Sequence, residues 1–389
     1  MENILTIITL SLLITLSPFI AKTLRFPVAV TEILLGMGAS ALGLMHGSEF
    51  LKIIAKVGIL YLMFLAGLEV NLRHYVKMPR HIWQRMLLYF SLVYGLSTAV
   101  TLYLDLPKLY IVAFAIFSLG MIMALYREVG HKYPWLGLAL SVDVMGELIS
   151  ISGLTILSAS LNYGFGWEFA KAMGTLLLFL LGVALLFKIA KVLFWWYPEL
   201  KKWIMPDADS KNQDIRFSMA LFFIMIAMML YLKLDVVLGA FLAGVFIATF
   251  FEHKEELPEK LSQFGFGFLV PIFFIYVGTT VPLASLIDRE IIWHTLFIIA
   301  VLVGIRLIAS FASFLSHLGW RQTLLLALAD SMPLTFLVAV ATLGVQAGAI
   351  TQAAYYSFII AAMIDGVVLM TLIKFIYPRI TPKSVETTR

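Results

Sequence analysis

Apolar runs of about 20 residues recur from one end of the chain to the other, and no other feature limits its fold so strongly. As a helix, a run of that length crosses a hydrocarbon core of about 30 Å. Thirteen such spans can be drawn, at residues 3–21, 27–45, 51–70, 85–104, 108–126, 134–160, 168–190, 214–232, 234–251, 261–283, 290–316, 322–345 and 352–377. The chain therefore reads as an all-α polytopic membrane protein. Composition agrees: 61% of the 389 residues are hydrophobic, only 13% are charged, and the mean hydropathy is +0.97, whereas a soluble domain carries about 25% charge. The first run has no small-residue cleavage signal of weight and is read as a retained span. There is no cysteine, which excludes a disulfide, a thiolate metal site and a thiol nucleophile.

Charge is distributed as a membrane protein requires. Odd-numbered spans are followed by basic loops such as NLRHYVKMPRHIWQR (71–85), YREVGHKYP (126–134) and PELKKWIMPDADSKNQDIR (198–216), and the tail YPRITPKSVETTR is basic too. Of the 28 Lys and Arg, 20 fall on that side. The positive-inside rule then places the N-terminus outside and the C-terminus in the cytoplasm, which an odd number of spans satisfies. The net charge of +5 and the pI near 9.2 are accordingly loop charge facing the cytoplasm, with no nucleic-acid partner expected. The expected location is the plasma (inner) membrane.

Little sequence follows the last span, so residues 1–389 read as one membrane domain. Its one long polar connection, 196–213, follows span 7 and nearly bisects the chain. Two halves of about six spans joined by a linking helix are the sequence signature of inverted-repeat transporters. Each half has an irregular next-to-last span. Span 5, YIVAFAIFSLGMIMALY, has Ser118-Leu119-Gly120 at its middle, and span 12, TLLLALADSMPLTFLVAVATLG, has Asp330-Ser331-Met332-Pro333. Proline removes a backbone donor, and Gly with Ser weakens a helix more mildly. Paired interruptions at corresponding places point to a substrate site near the bilayer midplane.

Charged residues within the spans are Glu32, Lys56, Glu69, Asp143, Glu147, Arg306, Asp330 and Asp365. Each costs roughly 2.5–3.5 kcal/mol at a helix centre and needs a reason. Lys56 and Glu69 lie near span ends and can snorkel, and Glu32 can serve simply to hydrogen-bond two helices together. Asp143 and Glu147, in SVDVMGELIS (141–150), are one turn apart on one helix face. Two like charges that close in a low dielectric do not both ionise readily, which suits the pair to trading a proton for a hard cation that prefers oxygen. Gly146 between them would let a neighbouring backbone approach. Arg306, permanently charged, calls for a carboxylate partner. Asp330 lies at an interruption, and Asp365 has no evident partner.

Together these residues resemble the bacterial and archaeal monovalent cation/proton antiporters, the sodium/hydrogen exchanger group, in its Kef-type and Nap-type branch. The resemblance rests on FPVAVTEILLGMGASALGL (26–44), GILYLMFLAGLEVNL (58–72), LGAFLAGVFIA (238–248) and LVPIFFIYVGTTVPLASL (269–286), in the family's order and spacing over nearly the whole chain. It implies thirteen helices in two inverted repeats with interrupted crossing helices. A dimer-forming scaffold would occupy spans at about 3–70 and 214–283, a linker helix 168–190, and a moving core about 85–160 and 290–377. The family's ion-binding aspartate falls on Asp143 and its basic residue on Arg306. Val142 stands where relatives have Asn or Asp, Ser118-Leu119-Gly120 replaces a threonine-serine-proline, and the glycine-glutamate of the second interruption is absent. Kef-type relatives usually add a cytoplasmic nucleotide-binding domain, which is not expected here.

The resulting expectation is a secondary antiporter, not an enzyme, that exchanges protons for Na⁺, or for K⁺ or Li⁺, by alternating access. With Val142 and Arg306 at the site, exchange is expected to be electroneutral. Asp143, Glu147, Asp330 and Ser118 are the candidate cation- and proton-binding residues, with the transported monovalent ion on Asp143 and Arg306 as basic partner. No resident cofactor is expected, and the partners are the ions, the bilayer and a second copy of the chain. Absence of GxxxxGK[ST] argues against an ATP-driven pump. The rival readings are an organic-anion transporter of the same architecture, with the anion held by Arg306 and helix N-termini, and a degenerate member acting as a channel or sensor. An intramembrane aspartyl hydrolase fits poorly, because its two acids come from separate helices and Asp143 and Glu147 share one.

Overall fold

A computed structural model describes residues 2–45, 49–70, 78–122, 125, 133–164, 166–197, 199–200, 212–234, 236–251, 254 and 256–380. The described chain is helical almost throughout. In order come α1 (Glu2–Leu24), α2 (Val28–Ala41), α3 (Glu49–Leu68), α4 (Arg80–Tyr103), α5 (Leu109–Ala115), α6 (Pro134–Tyr163) and α7 (Trp167–Trp196). After these follow α8 (Gln213–Tyr231), α9 (Val236–Phe250), α10 (Glu256–Thr279), α11 (Arg289–Ala329), α12 (Leu334–Gln346) and α13 (Gln352–Ile380). Among the described residues nine helices are long and apolar enough to cross a membrane, and four shorter apolar ones accompany them. Together they cover the thirteen spans, with α11 carrying the eleventh and the first half of the twelfth. The basic stretches 71–77, 126–132, 201–211 and 381–389, on which the expected orientation leans, lie outside the described residues.

Local chemistry sets several of the boundaries. The Asp288 carboxylate caps α11 by accepting from the backbone N–H groups of Glu290 (2.9 Å) and Ile291 (3.1 Å), the usual service of an N-terminal Asp. The 41 residues of α11 are two helices separated at Gly319, where φ is +74°. A residue without Cβ enters that region at no steric cost, so the chain turns there without a long loop.

The chain divides into two compact units. The first comprises Met1–Phe19, Glu32–Lys77 and Thr155–Thr280; the second comprises Ile20–Thr31, Met78–Leu154 and Val281–Arg389. In the first, α3 packs against α9 and α10, and two glycine-on-glycine crossings fix the packing. A Cβ on Gly36 of α2 would strike the Ile275 carbonyl and the Gly278 Cα of α10, and a Cβ on Gly278 would strike Ile33 and Gly36 in return. Gly67 of α3 and Gly244 of α9 stand in the same relation through the Phe241 and Phe64 carbonyls. Since α2 and α9 are the second helices of their halves, and α3 and α10 the third, one crossing repeats the other. That is the inverted repeat expressed as packing. Also in this unit, the Ser17 hydroxyl donates to the buried Glu32 carboxylate at 3.2 Å, joining α1 to α2 as the sequence suggested.

These crossings give a test of the repeat. Gly67→Ala and Gly278→Ala each push a methyl group into a backbone that cannot rotate away, and are expected to cost about 1–3 kcal/mol. The same change at Gly174 on α7, where nothing lies within 4 Å of the added Cβ, should be neutral or favourable, because alanine is the better helix former. Thermal unfolding of the purified variants in detergent, followed by tryptophan fluorescence, separates the two classes.

In the second unit α4 packs against α5 and α11, α11 against α13, and α12 against α5 and α13. Both interruptions are present. Span 12 breaks at Asp330–Pro333, between α11 and α12, at the residues named from sequence. Span 5 breaks at Ile116, Phe117 and Ser118, with Ile116 extended at φ −74°, ψ 140°. Ser118 is therefore in the gap, but Leu119 and Gly120 are already helical again. An added Cβ on Gly120 would come no closer than 3.4 Å to the Thr335 hydroxyl of α12, an ordinary contact.

Candidate functional site

Breaking a helix inside a membrane leaves backbone groups that have no water to turn to. In the second unit a single side chain serves carbonyls at both breaks. Arg306, on α11 and 0% exposed, donates from Nη1 to the Phe114 carbonyl (2.7 Å) and from Nη2 to the Ile116 carbonyl, at the end of α5. Its Nε donates to the Asp330 carbonyl (2.7 Å), where α11 ends. Two helix C-termini, each the negative end of a dipole, thus share one guanidinium. One donor exposed by the first break, the Phe117 N–H, goes to the Ser150 hydroxyl of α6 at 2.8 Å. The carboxylate partner expected for Arg306 is replaced by carbonyls: among the described residues its hydrogen bonds all go to main-chain oxygens. The reason is geometric, since a planar fork with five N–H donors can serve several carbonyls at once.

Helix α6 brings the acid pair to this place. Asp143 and Glu147 are 1% and 2% exposed. Gly146 between them leaves room for the Phe117 ring, into which any Cβ at that position would run, so the glycine admits a side chain and not the backbone expected. The same ring lies 5.1 Å from the Arg306 guanidinium carbon, in cation–π range, with Phe90 set edge-on at 5.4 Å. Asp143 lies within electrostatic reach of Asp330, Arg306 and Glu147. Its Oδ1 is buried with no hydrogen-bond partner.

Asp330 is held at both ends. Its carbonyl takes Arg306, and its Oδ2 accepts from the Tyr89 hydroxyl of α4 at 2.8 Å, while Oδ1 is buried without a partner. Asp365 of α13 is 1% exposed, with Oδ2 also lacking a partner, and is in electrostatic reach of Arg306. Ser118, 4% exposed, lies in the unwound segment beside Phe117. The structure therefore gathers Asp143, Glu147, Asp330 and Arg306 as candidates of one cluster and adds Asp365 to it. A carboxylate oxygen buried in hydrocarbon without a donor is costly unless it holds a proton or a cation. Asp143 and Asp330 each present such an oxygen, of the hard type that alkali cations accept.

Three participants escaped the sequence reading. Ser150 continues the face of Asp143 and Glu147 by three more residues, a spacing that could have revealed it. Tyr89 and Phe117 carried no signal, because an aromatic residue in an apolar span reads as lipid-facing or core.

Comparison with known proteins bears on the family and the fold. A family model described as the transmembrane sodium/hydrogen exchanger matches residues 8–377. A Bacillus subtilis (strain 168) protein, YjbQ, named as a candidate Na(+)/H(+) antiporter, is 25% identical over 383 residues. That alignment covers 92% of this chain but only 60% of the relative. A Methanocaldococcus jannaschii protein named as a probable Na(+)/H(+) antiporter is 26% identical over 383 residues, covering 94% of each chain. Among solved structures, the sodium proton antiporter MjNhaP1 of Methanocaldococcus jannaschii superposes with a TM-score of 0.66 at 14% identity, over 96% of this chain and 97% of the other. At that identity the likeness concerns the fold.

Proposed function

The chain belongs to the transmembrane sodium/hydrogen exchanger family, and on that premise we propose that Asp143 is the group at which it exchanges protons for a monovalent cation. One observation carries the assignment: Asp143, on the uninterrupted helix α6 whose Gly146 and Ser150 meet the break in span 5, is buried and keeps an oxygen without a donor. That oxygen accepts a proton or a cation in turn, and the occupied site crosses between the two faces by alternating access. Relatives named as Na(+)/H(+) antiporters make Na⁺ the first ion to test. The protein acts as a transporter and not an enzyme, and uses no resident cofactor. With Val142 before Asp143 and no second acid in that place, the exchange is 1:1.

Spans at about 3–70 and 214–283 form the scaffold, 168–190 the linker helix, and about 85–160 and 290–377 the moving core; this reading is supported by the two breaks and the Asp143, Glu147, Asp330 and Asp365 cluster all falling in the second compact unit. The protein resides in the plasma or inner membrane as a homodimer, N-terminus outside. The Lys and Arg bias of the loops supports the orientation, and the family resemblance supports the dimer. An organic anion held by Arg306 is disfavoured, because that guanidinium is already committed to carbonyls of both broken helices.

Proteoliposomes with an imposed pH gradient test the proposal. Addition of Na⁺, K⁺ or Li⁺ is expected to collapse the gradient for at least one ion, and clamping the membrane voltage at zero should leave a 1:1 exchange unchanged. No response to any of the three ions, in vesicles shown to contain folded protein, refutes the exchange.

A further inference from the structure

Tyr89 is an ionisable side chain in hydrogen-bond contact with the acid cluster that the exchange described above leaves idle. It is 0% exposed, and its hydroxyl donates to Asp330 Oδ2 at 2.8 Å. We infer that Tyr89 is a positioning residue of the exchange site: it fixes the Asp330 carboxylate so that its charge sets the cation affinity of Asp143. The inference rests on the reading of Asp143 given above.

Asp330 is part of an unwound segment, where a side chain would otherwise be free to choose among rotamers. Arg306 pins its main chain through the carbonyl, and Tyr89 pins its side chain through Oδ2. With both anchors in place, Oδ1 is the single oxygen left bare, buried and within electrostatic reach of Asp143. A negative charge fixed beside Asp143 strengthens the attraction for a cation there; the same charge free to swing away does so less. Tyr89 itself is immobilised by ring contacts with Phe90 (5.8 Å), Phe117 (5.9 Å) and Phe314 (5.5 Å). Its hydroxyl is thus aimed by α4, by the break in span 5 and by α11 together.

Among the described residues, the ionisable groups of this cluster around Asp330 are Tyr89 and Tyr94 from α4, Asp143 and Glu147 from α6, Arg306 from α11 and Asp365 from α13. Helix α12 carries no charged residue, and the one titratable group of α5, Tyr110, is bonded to His294 at 3.0 Å. Among these, Tyr89 and Arg306 are the donors bonded to Asp330, and the phenol alone reaches its carboxylate.

Tyr89→Phe keeps the ring contacts and removes only the hydroxyl. In the full-length protein in proteoliposomes, the apparent KM for Na⁺, K⁺ or Li⁺ is expected to rise roughly three- to tenfold, with a displaced pH midpoint and a smaller change in maximal rate. In an Asp330→Asn background the same substitution should add nothing, since its target is gone. A second readout needs no transport. The infrared carboxyl band assigned to Asp330 by its loss in Asp330→Asn should respond to NaCl, KCl or LiCl, and Tyr89→Phe should shift both the band and the salt concentration at half response. An unchanged KM and pH midpoint in Tyr89→Phe, equal shifts with and without Asp330, or an Asp330 band indifferent to every cation, each overturns the inference. A band that behaves as stated, in protein that exchanges no ion, would instead overturn the exchange reading alone.

Discussion

Asp143→Ala is expected to reduce cation-driven proton movement in proteoliposomes to the level of empty vesicles, because it removes the carboxylate on which proton and cation alternate. Asp143→Asn should do the same while preserving the side-chain volume. Its stability makes the sharper test. Asp143 is buried with an unpartnered oxygen, a costly arrangement in an apolar interior, so the neutral amide is expected to unfold at a temperature no lower than the native protein. Activity lost and stability kept or raised is the mark of a functional acid. A structural acid would show both falling together. Glu147→Gln is the companion variant: exchange should persist, with a changed apparent affinity, if Asp143 is the carrier. Cation-dependent exchange surviving in Asp143→Asn would remove Asp143 from its assigned role.

Arg306→Met is expected to be the most destabilising single substitution in the core. It leaves the carbonyls of Phe114, Ile116 and Asp330 without their donor, and each buried acceptor so stranded costs about 1–3 kcal/mol. The expected result is protein that aggregates on extraction or unfolds far below the native temperature. Arg306→Lys keeps the charge near both helix ends but replaces a rigid fork by a point charge that cannot serve three carbonyls in one plane. It should be intermediate, folded but with a lowered melting temperature and impaired exchange. Size-exclusion profiles and melting curves of the two variants in detergent check both statements. Arg306→Met melting like the native protein would show that the broken helices are capped by something else.

The sequence by itself determined what depends on local, additive quantities. Hydrocarbon thickness and apolar run length fixed the spans. A proline without an N–H fixed the break at Asp330–Pro333, and one-turn spacing put Asp143 and Glu147 on one buried face. The polar connection at 196–213 and the paired irregular spans 5 and 12 marked two related halves, whose repeated crossings the structure displays at Gly36–Gly278 and Gly67–Gly244. Tertiary structure decided the rest, because it depends on which groups meet across helices far apart in the chain. Span 5 breaks at Ile116–Ser118 and not at Ser118–Gly120, since Arg306, about 190 residues away, takes the carbonyls there and Ser150 takes the Phe117 N–H. No pattern of residue types in span 5 announces that. The choice of carbonyls over a carboxylate by Arg306, and of Asp330 by Tyr89, follows from the same cause. Once a helix is broken where water cannot reach, its orphaned backbone groups claim the donors and acceptors nearest in space, and nearness in space is what a linear sequence does not specify.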